Sequence, residues 1–141
     1  MTPKPERDYS HRSLFDKLGV TAEAHVALIG RHDATFVAAL NERLAKSASQ
    51  ALRTTYDLIF LRVDVPRDLD SIDRIAARLR PAGALWIFHP KGRGASPSDS
   101  EVRSAGLAAG VVDNKISAYS DSHTATRYVI PVARRPRLLQ Q

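Results

Sequence analysis

The chain has 141 residues, a formal net charge of +6 and an isoelectric point near 10.1. This length suits one domain, which buries a core without help from a metal or a disulfide. Cysteine is absent, which excludes disulfides, thiolate zinc sites and thiol nucleophiles. The N-terminal residues are polar, and no stretch approaches the roughly 20 apolar residues of a membrane span. We therefore predict a cytoplasmic protein without a membrane partner.

The first half of the chain alternates between helical and strand patterns. Gly19 follows an apolar helical pattern where a helix commonly ends, and Asp33 precedes another such pattern as its expected N-cap. The predicted elements are a helix over residues 10–18, a strand over 26–29, a helix over 34–45 and a short edge strand over 51–53.

The second half continues this alternation and closes with a hairpin. Ser98 and Glu101 match the capping box that begins a helix. We expect Tyr119 and Arg127 to pair across the hairpin, and we assign them no chemistry. The predicted elements are a strand over residues 56–63, a helix over 69–80, a strand over 84–88, a helix over 98–110 and hairpin strands over 111–119 and 126–132.

Alternating strands and helices are typical of an α/β domain with crossover connections. We predict a Rossmann-like, three-layer sandwich whose mostly parallel sheet has five to six strands and a C-terminal antiparallel hairpin. Residues 1–133 form this single domain, with residues 1–24 as an N-terminal arm and short helix packed on it. Residues 134–141 are predicted to be a mobile basic tail.

Two passages resemble the class I S-adenosylmethionine-dependent methyltransferases. Residues 79–86, Leu-Arg-Pro-Ala-Gly-Ala-Leu-Trp, resemble the "L-x-P-G-G-x-L" passage between a helix and a strand of that family. Residues 56–59, Tyr-Asp-Leu-Ile, resemble its middle strand, and the closing hairpin is also shared. The resemblance implies a methyltransferase-like fold for the chain from Tyr56 onward.

Nearly the whole chain is similar to a bacterial family called domain of unknown function 3052. This resemblance implies a Rossmann-like domain, and it brings no established activity with it. The matching positions are Tyr9-Ser10, Leu14, residues 17–20 and 26–29, Leu85-Trp86, Pro90-Lys91, residues 106–115 and Arg127.

The chain departs from the methyltransferases where those enzymes bind their cofactor. They resemble one another in a Gly-x-Gly-x-Gly loop after the first strand, whereas Gly30 is followed here by Arg31, His32 and Asp33. Side chains at those positions are expected to crowd an approaching nucleoside. No acidic residue follows a second strand to hold ribose hydroxyls, and residues 44–56 are too few for a strand, a helix and another strand. We therefore assign no cofactor, and S-adenosylmethionine is a disfavoured alternative.

Ligands of open α/β sheets bind beyond the carboxyl ends of the strands. Three residues that we consider as ligand contacts also have purely structural interpretations. His32 is then an exposed loop residue, Asp33 a helix cap and His89 a hydrogen-bonded core residue. We assign no catalytic residue and no metal site, because His25 and His123 lack metal-ligand spacing with the other histidines. The candidate ligand pocket consists of Gly30, Arg31, His32, Asp33, Asp64 and His89.

A second candidate is an anion-binding loop. Glycine-rich backbone, basic side chains and a helix N-terminus together can hold a phosphate. No Gly-Lys-Ser/Thr sequence is present, so a solvated loop is the alternative interpretation. The residues of this candidate are Lys91, Gly92, Arg93, Gly94 and Ser98.

Three functional hypotheses follow. The first is a non-catalytic or cryptic Rossmann-like module that binds a small ligand or a protein partner, because the scaffold is retained while the cofactor loop is reduced. The alternative is a methyltransferase-like enzyme with a degenerate cofactor loop. The third is a nucleic-acid-associated basic protein that binds through Arg134, Arg135 and Arg137. A homodimer through the outer hairpin strand or a crossover helix is compatible with each.

Overall fold

The computed structural model describes residues 4–135, with side chains from His11 onward. Its helices are α1 (Lys4–Leu18), α2 (Ala34–Arg43), α3 (Ile72–Ala76) and α4 (Asp99–Ala108). Its strands are β1 (Val26–Ile29), β2 (Tyr56–Arg62), β3 (Leu79–Pro90), β4 (Val112–Ala118) and β5 (His123–Val129). Short 3₁₀ helices span Pro66–Ser71 and Val132–Arg134.

The five strands form one sheet in the order β1-β2-β3-β5-β4. β1, β2 and β3 pair in parallel, whereas β5 is antiparallel to both β3 and β4. Only β5 runs against the other strands, yet it accounts for two of the four pairings. The α/β class and the closing hairpin are confirmed, and the sheet is mixed rather than mostly parallel in its pairings.

Alternate side chains of each central strand enter two different helical layers. Phe60 of β2 and Trp86 of β3 pack in the layer that contains α1 and α2. Their neighbours Ile59 and Leu85 pack in the layer that contains α3 and α4. A strand that is buried on both faces needs apolar residues at nearly every position. Continuous apolar runs therefore predict these strands, although polar and apolar residues do not alternate in them.

Helix α1 is attached to the sheet by a buried hydrogen bond. Trp86 is fully buried, and its indole Nε1–H donates to the carbonyl of Leu18 at 3.0 Å. Phe15 and Leu18 are both 1% exposed, so the apolar face of α1 belongs to the core.

The helix predicted over residues 69–80 is much shorter in the structure. A 3₁₀ turn and α3 fill its first part, and Leu79 already pairs with Tyr56 as the start of β3. The Tyr56 N–H donates to the Arg78 carbonyl at 2.9 Å. The apolar spacing that continues through Leu79 therefore reflects burial in a strand rather than one more helical turn.

The edge strand predicted over residues 51–53 does not form. Instead, Ser49 makes an isolated parallel bridge to β1 through two backbone hydrogen bonds of 2.7 and 2.9 Å. The Tyr56 hydroxyl donates to the Ala51 carbonyl at 2.9 Å and accepts from the Arg53 N–H at 3.0 Å. These contacts use backbone groups that a strand would need.

The C-terminal arginines are only partly within the described residues. Arg134 lies in the last 3₁₀ helix with its guanidinium beside Gly110. Arg135 Nε donates to the Ile130 carbonyl at 3.0 Å. Arg137 and the rest of residues 136–141 lie outside the described residues. Within residues 4–135, no helix is long and apolar enough to cross a membrane.

Substitution of Gly106 by alanine should destabilise the protein. Gly106 of α4 packs on the buried ring of Tyr128, and an added Cβ would lie 2.6 Å from a ring carbon. Overpacking of this kind costs about 1–3 kcal/mol, which exceeds the gain of about 0.5–1 kcal/mol from better helix propensity. Urea denaturation should show a lower free energy of unfolding for Gly106→Ala. The control Ser104→Ala, exposed on the same helix, should change it by less than about 0.5 kcal/mol; equal stability of both variants would contradict the packing argument.

Candidate functional site

The loop after β1 passes directly over the end of β2. Gly30 has φ +97°, and a Cβ there would lie 2.7 Å from the carbonyl oxygen of Arg62. Only glycine combines that backbone conformation with so close an approach. The loop therefore delivers His32 and Asp33 to the carboxyl edge of the sheet, beside the last residue of β2.

The His32 ring points into the domain rather than into solvent. Its Nε2 donates to the Phe60 carbonyl at 2.8 Å, and the ring stacks on Phe36 with centroids 5.7 Å apart. Burial lowers the pKa of His32, and the carbonyls of Phe60 and Ile29 oppose this only in part. His32 is thus a neutral imidazole, not an exposed loop residue. Among the described residues, its buried Nδ1 has no hydrogen-bond partner.

Asp33 occupies the N-cap position of α2, but its side chain makes no capping hydrogen bond. Its Oδ2 accepts from the Tyr119 hydroxyl at 2.6 Å and lies 3.5 Å from Arg62 Nη1. The predicted side-chain cap is therefore wrong, because these partners hold the carboxylate towards the hairpin. Burial and the adjacent carboxylate raise the pKa of Tyr119, so the phenol remains a donor. Arg127 pairs with Asn114 rather than with Tyr119.

The charged contacts continue from Arg62 across the edge of the sheet. Arg62 Nε donates to Asp64 Oδ1 at 3.2 Å, and its side chain is only 14% exposed. The same Asp64 oxygen lies 2.9 Å from Nε2 of the buried His123, which also contacts the Val63 carbonyl at 3.0 Å. We define the edge network as Tyr119, Asp33, Arg62, Asp64 and His123.

Tyr119 and His123 were missing from the candidate site predicted from sequence. They flank the turn between β4 and β5. Because β4 runs parallel to the first three strands, its end and the start of β5 lie at their carboxyl edge. The predicted hairpin therefore contained the signal that places both residues there.

The structure places His89 away from His32. Ile87 and His89 point to the α4 side of β3, whereas Phe88 packs with His32 on the α2 side. His89 Nε2 lies 2.8 Å from Thr126 Oγ1, and its Nδ1 lies 3.6 Å from Asp99 Oδ1. The structure thus brings Gly30, His32, Asp33 and Asp64 to one part of the edge, with His89 on the opposite face.

A cleft of about 470 Å³ lies outside the end of β1. Gln50 also lines the cleft. It directly follows Ser49, whose single bridge to β1 stands where an edge strand would pair. Val37 contributes from α2. The cleft is lined by Leu28, Gly30, Arg31, His32, Val37 and Gln50.

The candidate anion loop lies before α4, and the capping box uses the polar groups of Ser98. Its hydroxyl accepts from the Glu101 N–H at 3.2 Å, and its own N–H donates to the Glu101 carboxylate at 2.8 Å. Asp99 and Glu101 add negative charge at this helix end. Anion binding by Lys91, Gly92, Arg93, Gly94 and Ser98 stays a prediction. Among the described residues, no three acidic or histidine side chains are grouped for a metal ion.

Solved methyltransferases share this fold. The magnesium protoporphyrin IX methyltransferase from Synechocystis PCC 6803 with bound SAM matches with a TM-score of 0.65 at 11% identity, over 88% of this chain and 79% of that chain. Its structure with SAH gives a TM-score of 0.64 over 88% of this chain and 83% of that one, at 11% identity. The CcbJ methyltransferase from Streptomyces caelestis gives 0.56 at 9% identity, over 87% and 89% of the two chains.

The mitomycin 7-O-methyltransferase MmcR gives a TM-score of 0.61 at 12% identity, and this chain matches only 57% of its length. At such identities the likeness shows the fold alone, which is that of the class I S-adenosylmethionine-dependent methyltransferases. No family model and no curated protein matches the chain. The similarity to domain of unknown function 3052 therefore stays a prediction.

The prediction that disfavoured S-adenosylmethionine is wrong, because structures with this fold hold SAM or SAH. Two of the side chains that follow Gly30 are held by other parts of the domain. The His32 ring is stacked on Phe36, and the Asp33 carboxylate is held by Tyr119. The cleft outside Gly30 consequently remains open.

The lowered pKa values of His32 and His89 predict a loss of stability in acid. Their ordinary pKa is 6.5, and burial is the largest cause of both shifts. Below that pH the unfolded chain binds more protons than the folded protein, so the free energy of unfolding falls as the pH decreases through this window. Urea denaturation between about pH 7.5 and about pH 5.5 should show this fall. The fall should be smaller in His32→Leu, and an identical pH dependence in this variant would contradict the assignment of His32.

Proposed function

We propose that this chain binds S-adenosylmethionine in the cleft outside β1 and is a methyltransferase-like protein with a reduced cofactor site. The position of that cleft is the main support for this proposal, because it lies beyond the carboxyl end of the first strand, where open α/β sheets bind nucleosides. The methyltransferase fold, with neighbours that hold SAM or SAH, supports the choice of ligand.

The residues of the cleft match the polar groups of this cofactor. Arg31 supplies a cation for its carboxylate, and Gln50 offers one amide donor and one amide acceptor for ribose hydroxyls. His32 lines the cleft and keeps an unsatisfied, buried Nδ1. Nε2 donates to the Phe60 carbonyl, which fixes the ring as part of the cleft wall.

The presence of Gln50 in the cleft predicts a difference from methyltransferases in which an acidic side chain binds the ribose hydroxyls. A carboxylate has two charged acceptor oxygens for the two ribose hydroxyls, whereas an amide has one neutral acceptor oxygen and an NH2 group that only donates. Charge-assisted hydrogen bonds are roughly twice as strong as neutral ones. We therefore expect weaker cofactor binding than a carboxylate at this position would give.

The bound cofactor supplies an electrophilic methyl group, and the edge network is the set of side chains available to orient its acceptor. The Asp33 carboxylate is 53% exposed and is fixed by Tyr119 and Arg62. Asp33 would accept a hydrogen bond from an acceptor O–H or N–H at this edge. Tyr119, whose raised pKa keeps it protonated, positions Asp33 rather than acting as a base.

Isothermal titration with S-adenosylhomocysteine tests this proposal. Wild-type protein should bind with a Kd between about 1 μM and about 1 mM, the range usual for enzyme ligands. Val37→Tyr should weaken binding at least about tenfold, equivalent to about 1.4 kcal/mol, because the new ring fills the cleft. Ala38→Tyr is the matched control, since Ala38 is exposed on the same helix and does not line the cleft.

Absence of binding of both S-adenosylmethionine and S-adenosylhomocysteine to folded wild-type protein would refute the proposal. Equal weakening in the two tyrosine variants would move the binding site away from this cleft. Methyl transfer to added acceptors is measured separately, because binding without turnover would leave the enzymatic part of the proposal unsupported.

A further inference from the structure

A second cavity lies on the opposite face of the sheet, between α4 and the hairpin strands. Its volume is about 240 Å³, below the range of about 300–1,000 Å³ that holds drug-sized ligands. Ile116 and the Tyr128 ring contribute apolar groups to its wall. The other lining residues are polar or charged, namely His89, Lys91, Asp99, Arg103, Asp113, Thr124 and Thr126. The cavity therefore suits a small molecule that carries polar groups.

His89 lies between Thr126 and Asp99 in this cavity and, among the described residues, its ring is hydrogen-bonded to Thr126 alone. The side chain is only 3% exposed, with Nε2 2.8 Å from Thr126 Oγ1 and Nδ1 3.6 Å from Asp99 Oδ1. Nδ1 is buried and has no hydrogen-bond partner within the described part of the chain. The Asp99 carboxylate and the Pro90 carbonyl both favour a proton on the ring. We assign that proton to Nδ1, which leaves Nε2 to accept from the Thr126 hydroxyl.

We propose that Thr126, His89 and Asp99 form a hydroxyl–imidazole–carboxylate relay in which Thr126 Oγ1 is a nucleophile towards small esters. A hydroxyl hydrogen-bonded to an imidazole is the usual pairing of a nucleophile with its general base. Asp99, at 3.6 Å, lies beyond hydrogen-bond distance and acts on the imidazole through its charge. Neither the methyltransferase fold nor the cofactor cleft requires this arrangement. The relay is therefore independent of the function proposed above.

The secondary structure holds all three groups in place. Thr126 pairs with Ile87 on the adjacent strand, so it lies diagonally beside His89 on the same face. Asp99 is the first residue of α4, whose start is fixed by the Ser98–Glu101 capping box. Burial lowers the pKa of His89, so the imidazole is neutral and able to accept a proton at neutral pH.

The reaction has the following balance. Thr126 Oγ1 forms a bond to the ester carbonyl carbon while its proton passes to His89 Nε2. The bond from that carbon to the leaving oxygen then breaks, and the leaving oxygen takes the proton from Nε2. Water repeats both steps on the acyl-threonine and releases the carboxylic acid. The size of the cavity restricts the substrate class to short-chain carboxylic esters.

Labelling of the intact protein with diisopropyl fluorophosphate tests the relay, because this probe phosphorylates activated hydroxyls and releases fluoride. Peptide mapping by mass spectrometry should locate the adduct on Thr126. The labelling rate should fall about 100-fold or more in His89→Gln, since a general base typically contributes 10²–10⁴-fold. It should also fall in Asp99→Asn, and Thr126→Val should carry no adduct.

Ser104→Ala is the matched control. Ser104 carries a hydroxyl on α4, is exposed, and does not line this cavity. Labelling of this variant should equal that of wild type. A wild-type protein without an adduct on Thr126, or with the same labelling rate after His89→Gln, would overturn the proposal. Both readouts are independent of S-adenosylhomocysteine binding, so failure of either proposal is visible separately.

Discussion

The close approach of Gly30 to the backbone of Arg62 determines how the carboxyl edge of the sheet is arranged. Because no Cβ intervenes, the loop after β1 rests on the end of β2. Asp33 thereby comes within 3.5 Å of the Arg62 guanidinium, which also contacts Asp64. A side chain at position 30 would lift the loop and separate these charges. The glycine is thus required by the protein's own packing, before any ligand is considered.

Two histidines with neutral imidazole rings, His32 and His89, lie on opposite faces of the sheet in different surroundings. His32 lies among phenylalanine rings beside the cleft outside β1, and His89 lies between a threonine and an aspartate under α4. Both histidines lose basicity through burial. The edge network runs between these regions, with His123 close enough to lower the pKa of His89 further. One fold consequently offers a cleft of about 470 Å³ on one side of the sheet and a cavity of about 240 Å³ on the other.

Local sequence signals predicted much of the fold but little of the site. The apolar runs of the first three strands and the Ser98–Glu101 capping box specify their elements directly. The prediction of a cap at Asp33 failed because Tyr119, 86 residues further on, competes for the carboxylate. Such a partner is invisible to a pattern confined to a few neighbouring positions. The face of His89, by contrast, was predictable, since side chains alternate along β3.

The bridge at Ser49 has a consequence for self-association. Its two backbone hydrogen bonds, to Val26 and Leu28, occupy the outward-facing groups of the short β1. An unprotected border of this kind is where a second chain adds a strand and where aggregation begins. The irregular segment around Ser49 therefore covers the outer edge of β1. Within residues 4–135, β4 forms the opposite edge of the sheet, and a strand from another chain would add there.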